Sequence, residues 1–174
     1  MLYILIALLV ILDQGLKYFI TQNFQLFEIQ PVIQGFFSLT YFRNSGGAFS
    51  FLAETDWGIF ILSGVSILVS AGLIYLIVRL RNKDFTWMRV ALSLLAAGSI
   101  GNMIDRIRFR SVVDFLMFTF GSYTFPIFNV ADMCIVIGSI LLAFLAITDK
   151  RILGGTENPI KRSKEKASEE KNAN

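Results

Sequence analysis

Four apolar stretches set the limits on what this chain can fold into. Residues 2–20, 57–80, 87–104 and 125–147 are dominated by Leu, Ile, Val, Phe and Ala. At 1.5 Å per residue the first would be about 28 Å long as a helix, close to the roughly 30 Å of a bilayer core. A chain of 174 residues cannot hide four such runs inside one soluble globule, and its 55% hydrophobic content agrees. The mean hydropathy of +0.62 points the same way. The expected fold is a membrane all-α bundle of four transmembrane helices. The first run lacks a basic flank and a small-residue cleavage site, so a retained anchor is expected rather than a removed signal peptide.

The connections differ from the spans. Residues 21–56 mix Phe24, Leu26, Phe27, Ile29, Val32 and Ile33 with Gly and Pro, which predicts short strands and turns lying at an interface. This segment is expected to form a small extracytoplasmic β-rich cradle. Residues 105–124 are expected to be a second exposed connection. Together, residues 1–150 are read as a single transmembrane domain. After Thr148 the composition turns to Lys, Glu, Ser and Asn, and residues 151–174 are expected to be a charged, disordered cytoplasmic tail.

The net charge is only +3, but its placement orients the bundle. Arg79, Arg81, Lys83 and Arg89 surround the second loop, and the tail carries Lys150, Arg151, Lys161, Arg162, Lys164, Lys166 and Lys171. The connection 21–56 holds one base, Arg43. The positive-inside bias places both termini in the cytoplasm. Arg106, Arg108 and Arg110 then fall on the outer side, against the bias.

With no histidine and a single cysteine, Cys134, histidine triads, Cys/His nucleophiles, the usual zinc sites and an internal disulfide are excluded. Cys134 reads as a small apolar filler. Any chemistry falls to carboxylates, amides, hydroxyls, Lys and Arg. Asp13 and Lys17 lie one turn apart near the outer end of span one. Asn102, Asp105 and Arg106 are spaced i, i+3, i+4 at the outer end of span three. Asn129 and Asp132 are spaced i, i+3 at the outer start of span four, so three helices present polar faces at one depth. Structural alternatives stay open: an intrahelical ion pair for Asp13 and Lys17, a helix-end cap for Asp105, and interhelical glue for Asn102 and Asn129.

Asp114 and Asp132 are harder to explain structurally. Each stands among Val, Phe, Leu, Met and Ile, where a lone carboxylate is costly. The pair Val112 and Val113 favours extended backbone before Asp114. Two carboxylates brought close share a proton, so one can activate water while the other donates to a scissile carbonyl. Three other readings compete: a transporter or proton channel, a metal site built from Asp13, Asp105, Asp114 and Asp132, and a Ser–Lys peptidase using Lys17 and Ser45.

The segments DQGLK (13–17), YFRNSGGAFS (41–50), GNMIDR (101–106), VVDF (112–115) and FNVAD (128–132) occur in this order. In them the chain resembles the bacterial lipoprotein signal peptidases (signal peptidase II) over nearly its whole length up to the tail. Ser45 and Ser50 are a mild departure within the second segment. The resemblance implies an aspartic endopeptidase of the bacterial cytoplasmic membrane that cuts prolipoproteins just before a diacylglyceryl-modified cysteine. It implies Asp114 and Asp132 as the catalytic pair, with Asp13, Lys17, Asn44, Asn102, Asp105, Arg106 and Asn129 in support. The partners expected are lipidated prolipoproteins and membrane lipid. No metal, cofactor or nucleic acid is called for, and a monomer is expected.

Overall fold

The computed structural model of the protein describes residues 2–45, 57–81 and 85–149. The expected tail and residues 46–56 of the β-rich segment, with Ser50, lie outside the described residues. Among the described residues four helices are long and apolar enough to cross a membrane: α1 (Leu2–Asn23), α2 (Gly58–Arg79), α3 (Thr86–Phe109) and α4 (Val130–Thr148). They carry Leu, Ile, Val and Phe on their outer faces, as Ile4, Leu68, Ile140 and Phe144 show. Lipid is a suitable solvent for such faces and water is not.

The helices pack around α3, which touches each of the other three. Its sequence explains the position. Ala91, Ala96, Ala97, Gly98, Ser99 and Gly101 are all buried, and small residues let neighbouring helix backbones approach closely. At Gly98 any Cβ would strike the Ala131 carbonyl oxygen and lie 2.7 Å from Ile135 Cγ1. Gly138 on α4 plays the reciprocal part, since a Cβ there would lie 2.9 Å from the Ala91 carbonyl oxygen.

Strands β1 (Ile29–Ile33), β2 (Phe37–Asn44), β3 (Val112–Phe120) and β4 (Tyr123–Thr124) follow one another in an antiparallel order β1-β2-β3-β4. Here the structure corrects one expectation. Residues 112–120 do not form an exposed connection: their β-branched and aromatic residues pair with β2, and Val112, Val113, Asp114 and Phe115 are buried. The register sets Phe42 opposite Asp114 and Asn44 opposite Val112. Ile20, Phe24, Tyr41, Val113 and Phe115 form the apolar cluster that seats this sheet on the end of α1.

Two helix boundaries also move. The third span continues five residues past 104, to Phe109, because nothing in DRIRF breaks a helix; Arg110, at φ 55°, ends it. The fourth begins at Val130 rather than 125. Pro126 biases the residue before it to extended backbone, and Phe125 and Phe128 bond back onto β3 (Phe125 N to Phe118 O 2.8 Å, Phe128 N to Leu116 O 3.2 Å). Asn129 is then free to cap the helix.

Candidate active site

The start of α4 is where the site is built. The Asn129 side chain accepts from the Asp132 backbone N–H at 2.9 Å, and the Asp132 carboxylate accepts from the Asn129 N–H at 3.2 Å. This reciprocal capping box satisfies two of the amide groups that every helix start leaves without partners. It also fixes the Asp132 side chain at the helix end. Asn102 on α3 donates to the other Asp132 oxygen at 2.8 Å.

Asp114 arrives on β3. Its Oδ1 accepts from Asn129 Nδ2 at 2.6 Å and its Oδ2 from Asn44 Nδ2 at 3.2 Å, the latter reaching across from β2. Asn129 therefore touches both carboxylates, Asp114 through its side-chain amide and Asp132 through its cap. Burial, and after it the charge on Asp132, push the Asp114 carboxyl up to about 7, against the pull of the Asn44 and Asn129 donors.

Behind the pair lies a second layer. Lys17 is buried and donates to Asp13 Oδ2 (2.9 Å), Asp105 Oδ2 (2.8 Å) and Asn102 Oδ1 (3.0 Å). An ammonium has three hydrogens, and all are used. The two carboxylates continue outward: Asp13 Oδ1 accepts from the backbone N–H of Ala131 at 2.9 Å, and Asp105 Oδ2 from that of Val113 at 3.1 Å. Each bond grips the residue immediately before one member of the pair. Asp105 consequently does not cap the end of α3, the reading its position in the sequence had left open. The Asp13–Lys17 pair within one helix is present, but as part of a larger network. Asn102 and Asn129 do bond to one another (3.2 Å), while each also holds an aspartate.

A cavity of about 820 Å³ opens on the pair, lined by Asp114, Asp132, Asn44, Asn102 and Arg106 on its polar side. Phe42, Phe125, Ile127, Phe128 and Ile135 supply apolar wall. This volume is in the range of ligand-binding clefts. Arg106 donates to Ser66 Oγ at 3.4 Å, and its Nε is buried without a hydrogen-bond partner among the described residues. All the site residues expected from the sequence thus converge on one end of the bundle, Arg106 through the cavity wall rather than through the network. The Ser–Lys reading fails on this geometry, because Lys17 is saturated by two carboxylates and an amide and cannot act as a free base. Asp13 and Asp105, which a metal reading needs as ligands, are engaged by Lys17 and by backbone amides.

Sequence reasoning missed Gln14 and Gly101. Gln14 Nε2 donates to Asp105 Oδ1 (2.9 Å), the Gly101 carbonyl (3.1 Å) and Asp13 Oδ2 (3.2 Å), tying α1 to α3. A Cβ on Gly101 would lie 2.6 Å from Asp13 Oδ2. An amide placed one residue after Asp13 in an otherwise apolar helix was the available signal.

Two carboxylates opening on one cavity in a bundle of membrane-length helices are the arrangement that a membrane peptidase of aspartic type requires. The comparison with known proteins agrees. The sequence profile described as Signal peptidase (SPase) II matches residues 5–148, and the chain belongs to that family, whose members are membrane aspartic peptidases that remove signal peptides from prolipoproteins. The lipoprotein signal peptidase of Bacillus pumilus is 41% identical over 147 residues, covering 84% of this chain and 92% of its own. That of Enterococcus faecalis is 43% identical over 149 residues, covering 86% and 89%. A solved structure described as a bacterial membrane enzyme superposes with a TM-score of 0.75 at 34% identity, covering 86% of this chain and 88% of its own.

Proposed function

We propose that Asp114 and Asp132 are the catalytic pair, and that the substrate is a prolipoprotein whose cysteine already carries diacylglycerol. The observation carrying this is the yoke: both carboxylates face one cavity, and Asn129 bonds each of them. In the reactive state the pair holds one proton, on Asp114, with the negative charge on Asp132. Asp132 takes a proton from water as its oxygen attacks the scissile carbonyl, and Asp114 gives its proton to the carbonyl oxygen. The tetrahedral diol collapses when the proton held on Asp132 passes to the leaving nitrogen. Asp114 recovers its proton from the diol hydroxyl, which restores the starting pair and releases acid and amine. Asn44, Asn102 and Asn129 hold the carboxylates in register, and Arg106 offers its guanidinium to substrate carbonyls in the cavity.

The site lies at the C-terminal ends of α1 and α3 and the N-terminal end of α4, opposite the Arg79–Arg81 turn. The positive-inside bias then puts both termini in the cytoplasm and the site at the outer face of the cytoplasmic membrane. The sheet beside it acts as an extracytoplasmic cradle for the unwound cleavage segment, and residues 1–150 work as one domain, as a monomer, with 151–174 as a cytoplasmic tail. Two acyl chains, at about 0.8 kcal/mol per buried methylene, anchor the modified cysteine at the depth of the pair. The test is initial cleavage rates of a diacylglyceryl prolipoprotein by the purified protein. Asp114→Asn and Asp132→Asn should each abolish cleavage with unfolding temperature preserved. Near-normal turnover by either variant would refute the assignment.

A further inference from the structure

The structure assigns a second site, for the phosphate of an anionic phospholipid, on the face of β2 that points away from the cavity. Successive strand residues face opposite sides, so Phe42 and Asn44 line the cavity while Arg43, half-buried, lies on the other face, at the edge of the cluster that seats the sheet on α1. There its guanidinium lies 4.6 Å from the centre of the Phe109 ring, and that of Arg108 lies 4.8 Å from the same ring. Two like charges are thus gathered on one aromatic ring, which attracts each by its quadrupole but neutralises neither. Tyr41 helps to orient Arg43, accepting from its Nε at 2.8 Å. Arg110 follows at the end of α3, its guanidinium 5.9 Å from the Phe60 ring. It is held at φ 55°, a left-handed conformation unusual for a residue with a side chain. Among the described residues no carboxylate pairs with any of these three arginines, since both ion pairs there belong to Lys17.

Guanidiniums that stack instead of pairing keep their N–H forks available, and a fork matches two oxygens of a phosphate. The surroundings select a lipid over a free phosphate. Phe60, against Arg110, and Ile107, next to Arg108 in sequence, are exposed apolar side chains and offer a bed for acyl chains. The ligand is therefore a glycerophospholipid with a net negative head, bound outside the peptide cavity. This also gives a reason for arginines on the side that the positive-inside bias would leave poor in charge.

The experiment measures lipid retained by the purified protein, and so is independent of cleavage. Nanodiscs of equal phosphatidylglycerol and phosphatidylcholine are dissolved in detergent, and the lipid that stays bound is counted by native mass spectrometry. Wild type should favour phosphatidylglycerol by about tenfold, the scale expected for a few guanidiniums facing anionic headgroups. Arg43→Gln with Arg108→Gln should bring retention to the phosphatidylcholine level. Arg43→Lys with Arg108→Lys keeps the charge but loses the forks, and should lose most of the preference. Phe109→Leu keeps both arginines but removes their common ring and should do the same; if it fails to fold, the lysine pair decides. Unchanged preference in the lysine pair would reduce the site to diffuse charge and overturn the proposal. So would displacement of the lipid by millimolar inorganic phosphate at matched ionic strength, which would make the ligand a free anion. A lower unfolding temperature in the glutamine pair, with lipid preference intact, would assign the arginines to the chain's own acidic residues and also overturn it.

Discussion

Replacing Lys17 with Met tests the second layer most sharply. Lys17 is 2% exposed and is the only cation bonded to Asp13 and Asp105 among the described residues. Its loss leaves two buried carboxylates with amide donors alone: Gln14 and Ala131 for Asp13, Gln14 and Val113 for Asp105. Breaking a buried pair by removing one partner costs about 3–5 kcal/mol, because a charge stays behind uncompensated. For a protein of this length that lowers the unfolding temperature by about 6–20 °C, measurable by thermal unfolding in detergent. Cleavage should fall as well, since the backbone amides held by those carboxylates immediately precede Asp132 and Asp114. The second variant separates charge from packing. Adding Asp105→Asn to Lys17→Met restores the net charge of the buried group to its original value and keeps an acceptor for the Val113 N–H. The double variant should recover much of the lost stability, so the two changes are strongly non-additive. A loss below about 1 kcal/mol for Lys17→Met, in the range of surface pairs, would show the network to be solvated and would refute the reasoning.

Because the Asp114 carboxyl is raised to about 7, kcat/KM should fall as pH climbs through that value and the donor proton is lost. The same raised value makes the folded state bind the proton more tightly than the unfolded chain does. Its contribution to stability is therefore full at acid pH and is lost as pH rises through about 7. Asp114→Asn should remove that part of the pH dependence of unfolding, and an unchanged profile would count against the assignment. Gly101→Ala places a methyl 2.6 Å from Asp13 Oδ2 and 3.1 Å from Ala131 Cβ, and should destabilise by about 1–3 kcal/mol in thermal unfolding while cutting turnover.

The membrane spans were legible because a bilayer imposes length and apolarity on contiguous residues, and both can be read along a chain. The depth of the polar faces on α1, α3 and α4 was legible for the same reason: helix geometry converts spacing into height. Pairing was not. Nothing in residues 37–44 or 112–120 announces that β2 and β3 are partners, and the exposed connection expected at 105–124 holds the end of α3 and strand β3, buried over its first four residues. Strand register depends on contacts far apart in sequence, as does the Gln14–Asp105 bond between residues 91 apart. The helix ends failed for a different reason. Phe125 to Phe128 are as apolar as the helix they precede, so hydropathy runs straight through the point where Pro126 and the Asn129 cap redirect the backbone.

The network also bears on how the proposed catalytic pair is held together at all. Two carboxylates sharing a low-dielectric cavity repel whenever both ionise, and nothing in Asp114 or Asp132 alone opposes their separation. The restraint comes from behind. Lys17 draws Asp13 and Asp105 together, Asp13 holds Ala131 at the start of α4, and Asp105 holds Val113 on β3. Since those backbone amides neighbour the pair directly in sequence, the salt-bridged core adds to Asn44, Asn102 and Asn129 in fixing the spacing of the two proposed catalytic groups. Proton transfer can then change the charge on the pair through the reaction while its spacing stays the same, which is what an arrangement of shared protons requires. The arrangement also explains why so many ionisable groups are buried in an otherwise apolar bundle. Asp13, Lys17 and Asp105 meet where α1 and α3 cross, and their charges serve position, while those of Asp114 and Asp132 serve chemistry in the mechanism we propose.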